Sequence, residues 1–162
     1  VLFPDAYEAF VEAIPPEERG DLIGAYYRRL TGDDPVARRA AARAWSVWEC
    51  RVATLRPDEG LVAHCEDASF TLAFARIECH YFVNRGFFET PTQLLDGMGA
   101  LAGVPAVLVH GRYDVICPPR NAWRLYRAWP GAELHYVEDA GHSANEPGIA
   151  AALVGATDRF RG

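Results

Sequence analysis

Lysine is absent from this chain: all 16 basic residues among its 162 are arginine. Schiff-base and Ser-Lys chemistry are therefore excluded within it. A basic footprint is missing too. The 22 acidic residues outnumber the basic ones, leaving a net charge of −6, the wrong sign for nucleic-acid binding. No apolar run approaches the roughly 20 residues of a membrane span. The four cysteines, Cys50, Cys65, Cys79 and Cys117, contain no C-x-x-C pair, so zinc-site spacing is missing. No metal or other cofactor is implied. With 50% hydrophobic residues, a chain of this size builds a core without a disulfide framework. Four reduced, mostly buried thiols in a cytoplasmic protein are expected. Serine is scarce: Ser46, Ser69 and Ser143 are all there are, and none stands between two glycines in a Gly-x-Ser-x-Gly pattern.

What is present falls into two regions. Residues 1–100 read as helices. Ala6, Ala9, Phe10, Ala13 and Ile14 recur at helical spacing, as do Leu22, Ile23, Tyr26, Tyr27 and Leu30. Gly32 closes the second stripe. Asp34-Pro35 is a helix start, opening an alanine-rich helix over 37–55 that carries Trp45 and Trp48. Residues 57–60 read as a loop. Residues 67–84 read as another helix, with Asp67 as its cap and Asn84-Arg85-Gly86 as its end. A short helix follows from Thr90-Pro91 to Leu95. The character then changes over 101–162. The continuous apolar run from Val104 to Val109 is the pattern of a strand buried on both faces. A helix from Arg120 to Ala128, a strand from Glu133 to Val137 and a helix from Pro147 to Phe160 complete a β-α-β-α unit. The strands are expected to be parallel, joined by a right-handed crossover.

Two loops in this second region carry chemistry. Asp114 follows the first strand in His110-Gly111-Arg112-Tyr113-Asp114, and His142 follows the second in Asp139-Ala140-Gly141-His142-Ser143. An acid after one strand and a histidine after the next supply two thirds of a Ser-His-Asp triad in the chain order of an α/β-hydrolase. The bland readings are an Asp114 that caps the next helix and a His142 that bonds backbone. Because the serine comes first in that order, it is expected upstream of Val1. The chain begins with valine and its only methionine is Met98, which fits a truncated or processed chain. His64, His80, His110 and His135 have no comparable partner pattern and are read as structural. In the helical region Glu49 and Glu78 sit among aromatics. Burying a glutamate there is costly unless a cation meets it; the alternative is an ordinary solvated carboxylate.

These segments together resemble the prolyl aminopeptidases (proline iminopeptidases) of the α/β-hydrolase class. The resemblance rests on Ala44-Trp45-Ser46-Val47-Trp48-Glu49, on the stretch from Ala75 to Asn84, on His110 to Pro118 and on Asp139 to Ser143. It implies an α/β fold: a helical cap over residues 1–100, followed over 101–162 by the last two strands and helices of the hydrolase domain. It implies that Asp114 and His142 are the triad acid and base, and that Glu49 and Glu78 bind the free amine of a peptide with N-terminal proline. Phe82 would line the proline-ring pocket, and Cys117 would lie near it, open to thiol reagents. Arg85 stands where a second small residue before Gly86 is expected.

The implied protein is a serine exopeptidase of which this chain is the C-terminal half, inactive alone. Its partners would be peptides and the missing N-terminal half, with neither nucleic acid nor membrane. Strands left without neighbours expose apolar edges, so the isolated chain is expected to self-associate. The rivals are another α/β-hydrolase (epoxide hydrolase, dehalogenase or esterase), which needs no amine-binding acids, and a non-catalytic helical interaction module.

Overall fold

The computed structural model describes residues 2–66 and 68–161; the expected cap at Asp67 lies outside them. Two compact units emerge, Val1–Arg51 with Pro57–Phe88, and Val52–Arg56 with Glu89–Gly162.

Acids and prolines start the helices of the first unit. Pro4 opens α1 (Pro4–Glu12). The Asp21 carboxylate accepts the Gly24 N–H at 3.0 Å and caps α2 (Leu22–Thr31), which stops at Gly32. Asp34 accepts the Val36 N–H at 2.8 Å at the head of α3 (Pro35–Val52). Each such cap is worth about 1 kcal/mol. Asp58 does the same for Leu61 at 2.9 Å, so part of the expected 57–60 loop is instead the start of α4 (Glu59–His64). Helix α3 ends at Val52 rather than Leu55: the Leu55 N–H, which a continuing helix would give to the Arg51 carbonyl, goes to Glu146 Oε2 at 3.1 Å instead.

The core of this unit is aromatic. Phe10 stacks on Tyr26 with centroids 4.5 Å apart, and Trp45 meets both edge-on at 5.8 and 5.4 Å. The buried Tyr26 hydroxyl donates to the Phe10 carbonyl at 2.6 Å, and burial pushes its phenol up. Helix α5 (Ala68–Val83) turns its small residues inward: Ala75 and Cys79 are fully buried, and the Cys79 thiol donates to the Ile23 carbonyl of α2. Ile77 and Tyr81 face out, 62% and 53% exposed. Close approach of α2 selects small side chains on this face of α5. Beyond α5, Arg85, Gly86 and Phe87 all take positive φ.

One expectation about the thiols is corrected. Cys50, at the end of α3, and Cys65, just past α4, form a disulfide. Their 15-residue separation carries no signal in sequence; α4 folds the chain back to bring them together. This also removes the argument from reduced thiols for a cytoplasmic location. Cys79 is a buried thiol pushed up to about 11, mainly by burial, and Cys117 is exposed. No described helix is long and apolar enough to cross a membrane.

The second unit is a mixed helix–strand arrangement. Strand β1 (Ala106–Gly111) pairs in parallel with β2 (Ala132–Val137), from Ala106 opposite Ala132 to Gly111 opposite Val137. A short α6 (Gln93–Asp96) precedes them, α7 (Pro119–Ala128) connects them, and α8 (Pro147–Phe160) follows. The Trp129 indole donates to the Val104 carbonyl at 3.1 Å, and the Tyr136 hydroxyl to that of Pro119 at 3.1 Å, tying α7 to the strands. The expectation of full burial is corrected here too: Ala106 to His110 are only half-buried, because among the described residues β1 has one strand beside it.

Thiol titration checks the cystine. The denatured, unreduced chain is expected to show two reactive thiols, rising to four after reduction; four before reduction would remove the bond.

Candidate catalytic and binding site

The second unit brings its two candidate catalytic residues together. The parallel register sets the ends of β1 and β2 level, so the loops that leave them run side by side. At that point the backbones touch. A Cβ on Gly111 would strike the Gly141 carbonyl, and one on Gly141 would come within 2.9 Å of the Leu55 nitrogen. Glycine at both positions is a steric requirement. The Tyr113 N–H donates to the Ala140 carbonyl at 3.0 Å, closing one loop on the other.

Asp114 is buried, its side chain 4% exposed. Its Oδ1 accepts the N–H groups of Ile116 and Cys117 at 3.0 and 2.8 Å. Its Oδ2 stands 2.9 Å from His142 Nδ1. The carboxylate is thus spent on its own turn and on the histidine. Helix α7 begins at Pro119 without a side-chain cap, so the capping reading of Asp114 does not describe this structure. An ionised carboxylate only accepts, so His142 donates from Nδ1 and keeps Nε2 as a proton acceptor. The His142 side chain is 39% exposed, accessible to a reacting group.

His110 belongs to the same cluster, which the sequence did not suggest. Its Nε2 donates to the Cys117 carbonyl at 2.8 Å and lies 3.5 Å from Asp114 Oδ2. It closes the turn that holds the acid. The available signal was its place at the end of β1, four residues before Asp114. His80, by contrast, meets the Tyr27 hydroxyl at 3.0 Å, a packing role. Cys117 joins the cluster through its backbone.

The helical unit gathers a second set. Glu49 lies one turn after Trp45 on α3, and Phe82 one turn after Glu78 on α5. The buried Trp45 indole, which can only donate, bonds Glu78 Oε2 at 2.6 Å. Its ring centroid is 5.9 Å from that of Phe82, a half-exposed ring. Glu49 is half-buried. Burial pushes its carboxyl up to about 7, and the charge of Glu78 adds to the effect. Two carboxylates held close and partly out of water need a cation or a proton. Trp45 is the residue that sequence reasoning missed here: its place on a helix was legible, its indole contact was not. Among the described residues no group of three or more His, Cys, Asp or Glu is placed to hold a metal ion.

The raised Glu49 carboxyl makes stability depend on pH. A folded-state pKa above the unfolded one stabilises the fold fully below about 4.5, and that contribution is lost as pH rises through about 7. Glu49→Gln, which cannot ionise, is expected to gain on the parent chain above pH 7. Denaturant midpoints measured in mild acid and in mild base check this; a pH-independent difference would refute it.

No family model matches the chain. Curated relatives do. The chain is 57% identical over 159 residues to "Probable proline iminopeptidase" of Leptolyngbya boryana, covering 98% of this chain and 50% of that protein. It is 57% identical to the proline iminopeptidase of Xanthomonas citri, over 98% of this chain and 51% of that one. With the Arabidopsis thaliana proline iminopeptidase the figure is 52%, over 99% and 42%. The chain spans about half the length of the curated relatives it matches. It is therefore a homologue of the proline iminopeptidases, matched over nearly all of its own length to about half of theirs.

Proposed function

We propose that this chain is the C-terminal part of a serine exopeptidase that hydrolyses N-terminal proline from peptides. In this reading residues 1–100 form the helical cap of an α/β-hydrolase, and 101–162 its last β-α-β-α segment. The nucleophilic serine and the oxyanion hole come from the rest of the protein, since the chain spans about half the length of its relatives. The half-burial of the apolar β1 run suits a strand that acquires further neighbours.

The observation that carries the reading is the half-buried acid pair in the helical unit. An N-terminal proline is a secondary ammonium with two N–H bonds, and Glu49 and Glu78 accept one each. The Trp45 indole holds Glu78 Oε2 at 2.6 Å and so orients that carboxylate. Phe82 supplies an aromatic wall for the pyrrolidine and its charge. An internal residue has no ammonium to offer the two carboxylates, which makes the enzyme an exopeptidase.

His142 and Asp114 then work as acid–base machinery. His142 Nε2 takes the proton of the attacking hydroxyl and later delivers it to the leaving amine. Asp114, held by two backbone N–H groups, keeps Nδ1 protonated and steadies the imidazolium that forms.

In the full-length protein Asp114→Asn is expected to lower kcat on an L-prolyl arylamide by about four orders of magnitude, because an amide supports the wrong tautomer. Wild-type turnover in that variant would sink the acid–base assignment. The double variant Glu49→Gln, Glu78→Gln loses two charge-assisted bonds, each about 1.5–3 kcal/mol. The expected fall in kcat/KM is about 10²–10⁴-fold. Binding an ammonium favours ionised Glu49, so KM should fall as pH rises through about 7, and Glu49→Gln should flatten that dependence. An unchanged kcat/KM in the double variant would instead point to a hydrolase that needs no amine.

A further inference from the structure

One carboxylate in the second unit has no part in this mechanism, yet it reaches into the histidine loop. Glu146 is the residue before α8, but its side chain does not cap that helix. It turns back: Oε1 accepts the Gly141 N–H at 2.7 Å, and Oε2 accepts the Leu55 N–H at 3.1 Å. Beside it the Ala53 carbonyl accepts the N–H groups of His142 and Ser143, each at 2.8 Å. Four hydrogen bonds therefore stitch residues 53–55 to 141–143, where neither segment lies in a helix or strand.

We propose that Glu146 is the positioning residue for His142, its two carboxylate oxygens bridging the Gly141 and Leu55 N–H groups so that the imidazole leaves the loop toward Asp114. Residue type supports this. Two donors converge from separate segments, and an ionised carboxylate accepts at two atoms without presenting a donor. A glutamine of the same size would aim an NH2 at one of those N–H groups. The positive end of α8 favours charge at this position. Steric fit supports it as well. Gly141 is so close to the backbone of 53–55 that a Cβ would meet the Leu55 nitrogen at 2.9 Å, so the loop has one seating and Glu146 locks it. On the other side the Ala140 carbonyl holds Tyr113. The histidine is thus gripped from both flanks.

The inference rests on the proposed hydrolytic role of His142, and the test separates the two. The full-length protein is compared with Glu146→Gln and Glu146→Asp. On an L-prolyl arylamide, Glu146→Gln is expected to lower kcat about 10–100-fold with KM nearly unchanged, the cost of a misplaced base. Glu146→Asp keeps two acceptors on a shorter stem and should recover part of the loss. A purely structural role would not move the downfield proton resonance of His142 Nδ1. That signal is expected to weaken or shift in Glu146→Gln while thermal unfolding shows the protein folded, and Asp114→Asn serves as the control that abolishes it. Labelling by a fluorophosphonate reads the same base without a proline. Wild-type protein that labels but leaves the arylamide intact would overturn the peptidase reading, with the Glu146 comparison then made on labelling rate. Unaltered kcat or labelling together with an unmoved Nδ1 proton would overturn the positioning role. So would a loss that merely follows the unfolded fraction.

Discussion

Everything in the strand-bearing unit depends on the register of one parallel pair. With Gly111 opposite Val137, the loops after the two strands start level, and the bare backbones of Gly111 and Gly141 can touch. A slip of one residue would turn every side chain of the slipped strand to the opposite face and draw the loops apart. Given the register, the rest is short-range. Asp114 folds its turn over its own carboxylate, His110 closes that turn from behind, and His142 arrives at hydrogen-bond distance. The Arg112–Glu138 pair and the bond from the Arg112 N–H to the Val137 carbonyl continue the contact past the last ladder residues.

The helical unit meets a different constraint, the cost of taking charge out of water. Its core is closed by aromatic rings on Trp45, and the one polar atom of that side chain must find an acceptor. Glu78 supplies it. The same bond orients the Glu78 carboxylate, whose charge adds to the burial that pushes the Glu49 carboxyl up. Packing and the placement of charge are therefore not separable there. The tryptophan that fills the core also aims the acid, and an amine that pairs with both carboxylates would relieve the electrostatic cost.

The parts of this molecule that were legible in sequence are those written locally. Asp34-Pro35 announced α3, and Gly32 the end of α2. The apolar run after Val104 and the segment from Glu133 to Val137 announced β1 and β2. Asp114 and His142 could be singled out because each follows a strand in a glycine-containing loop. Features that need two distant segments were not legible. The Cys50–Cys65 disulfide depends on α4, whose start at Asp58 looked like a loop. Which face of α5 turns inward, that of Ala75 and Cys79, was set by α2, which lies against it. Glu146 looked like an ordinary residue before a helix, because its partners Gly141 and Leu55 come together only in the fold.

By itself, then, the sequence determined the run of helices followed by β-α-β-α, the turn chemistry that punctuates it, and the residues proposed as acid, base and amine-binding pair. Periodicity, caps and glycines act over a few residues, and so can be read along the chain. The tertiary structure alone decided which of those residues touch. It set the 2.9 Å contact of His142 with Asp114, the tautomer that contact enforces, the burial that lifts Glu49, and the bridging of two loops by Glu146. Each of these depends on distance and dielectric between segments far apart in sequence, and those quantities exist only once the chain has folded.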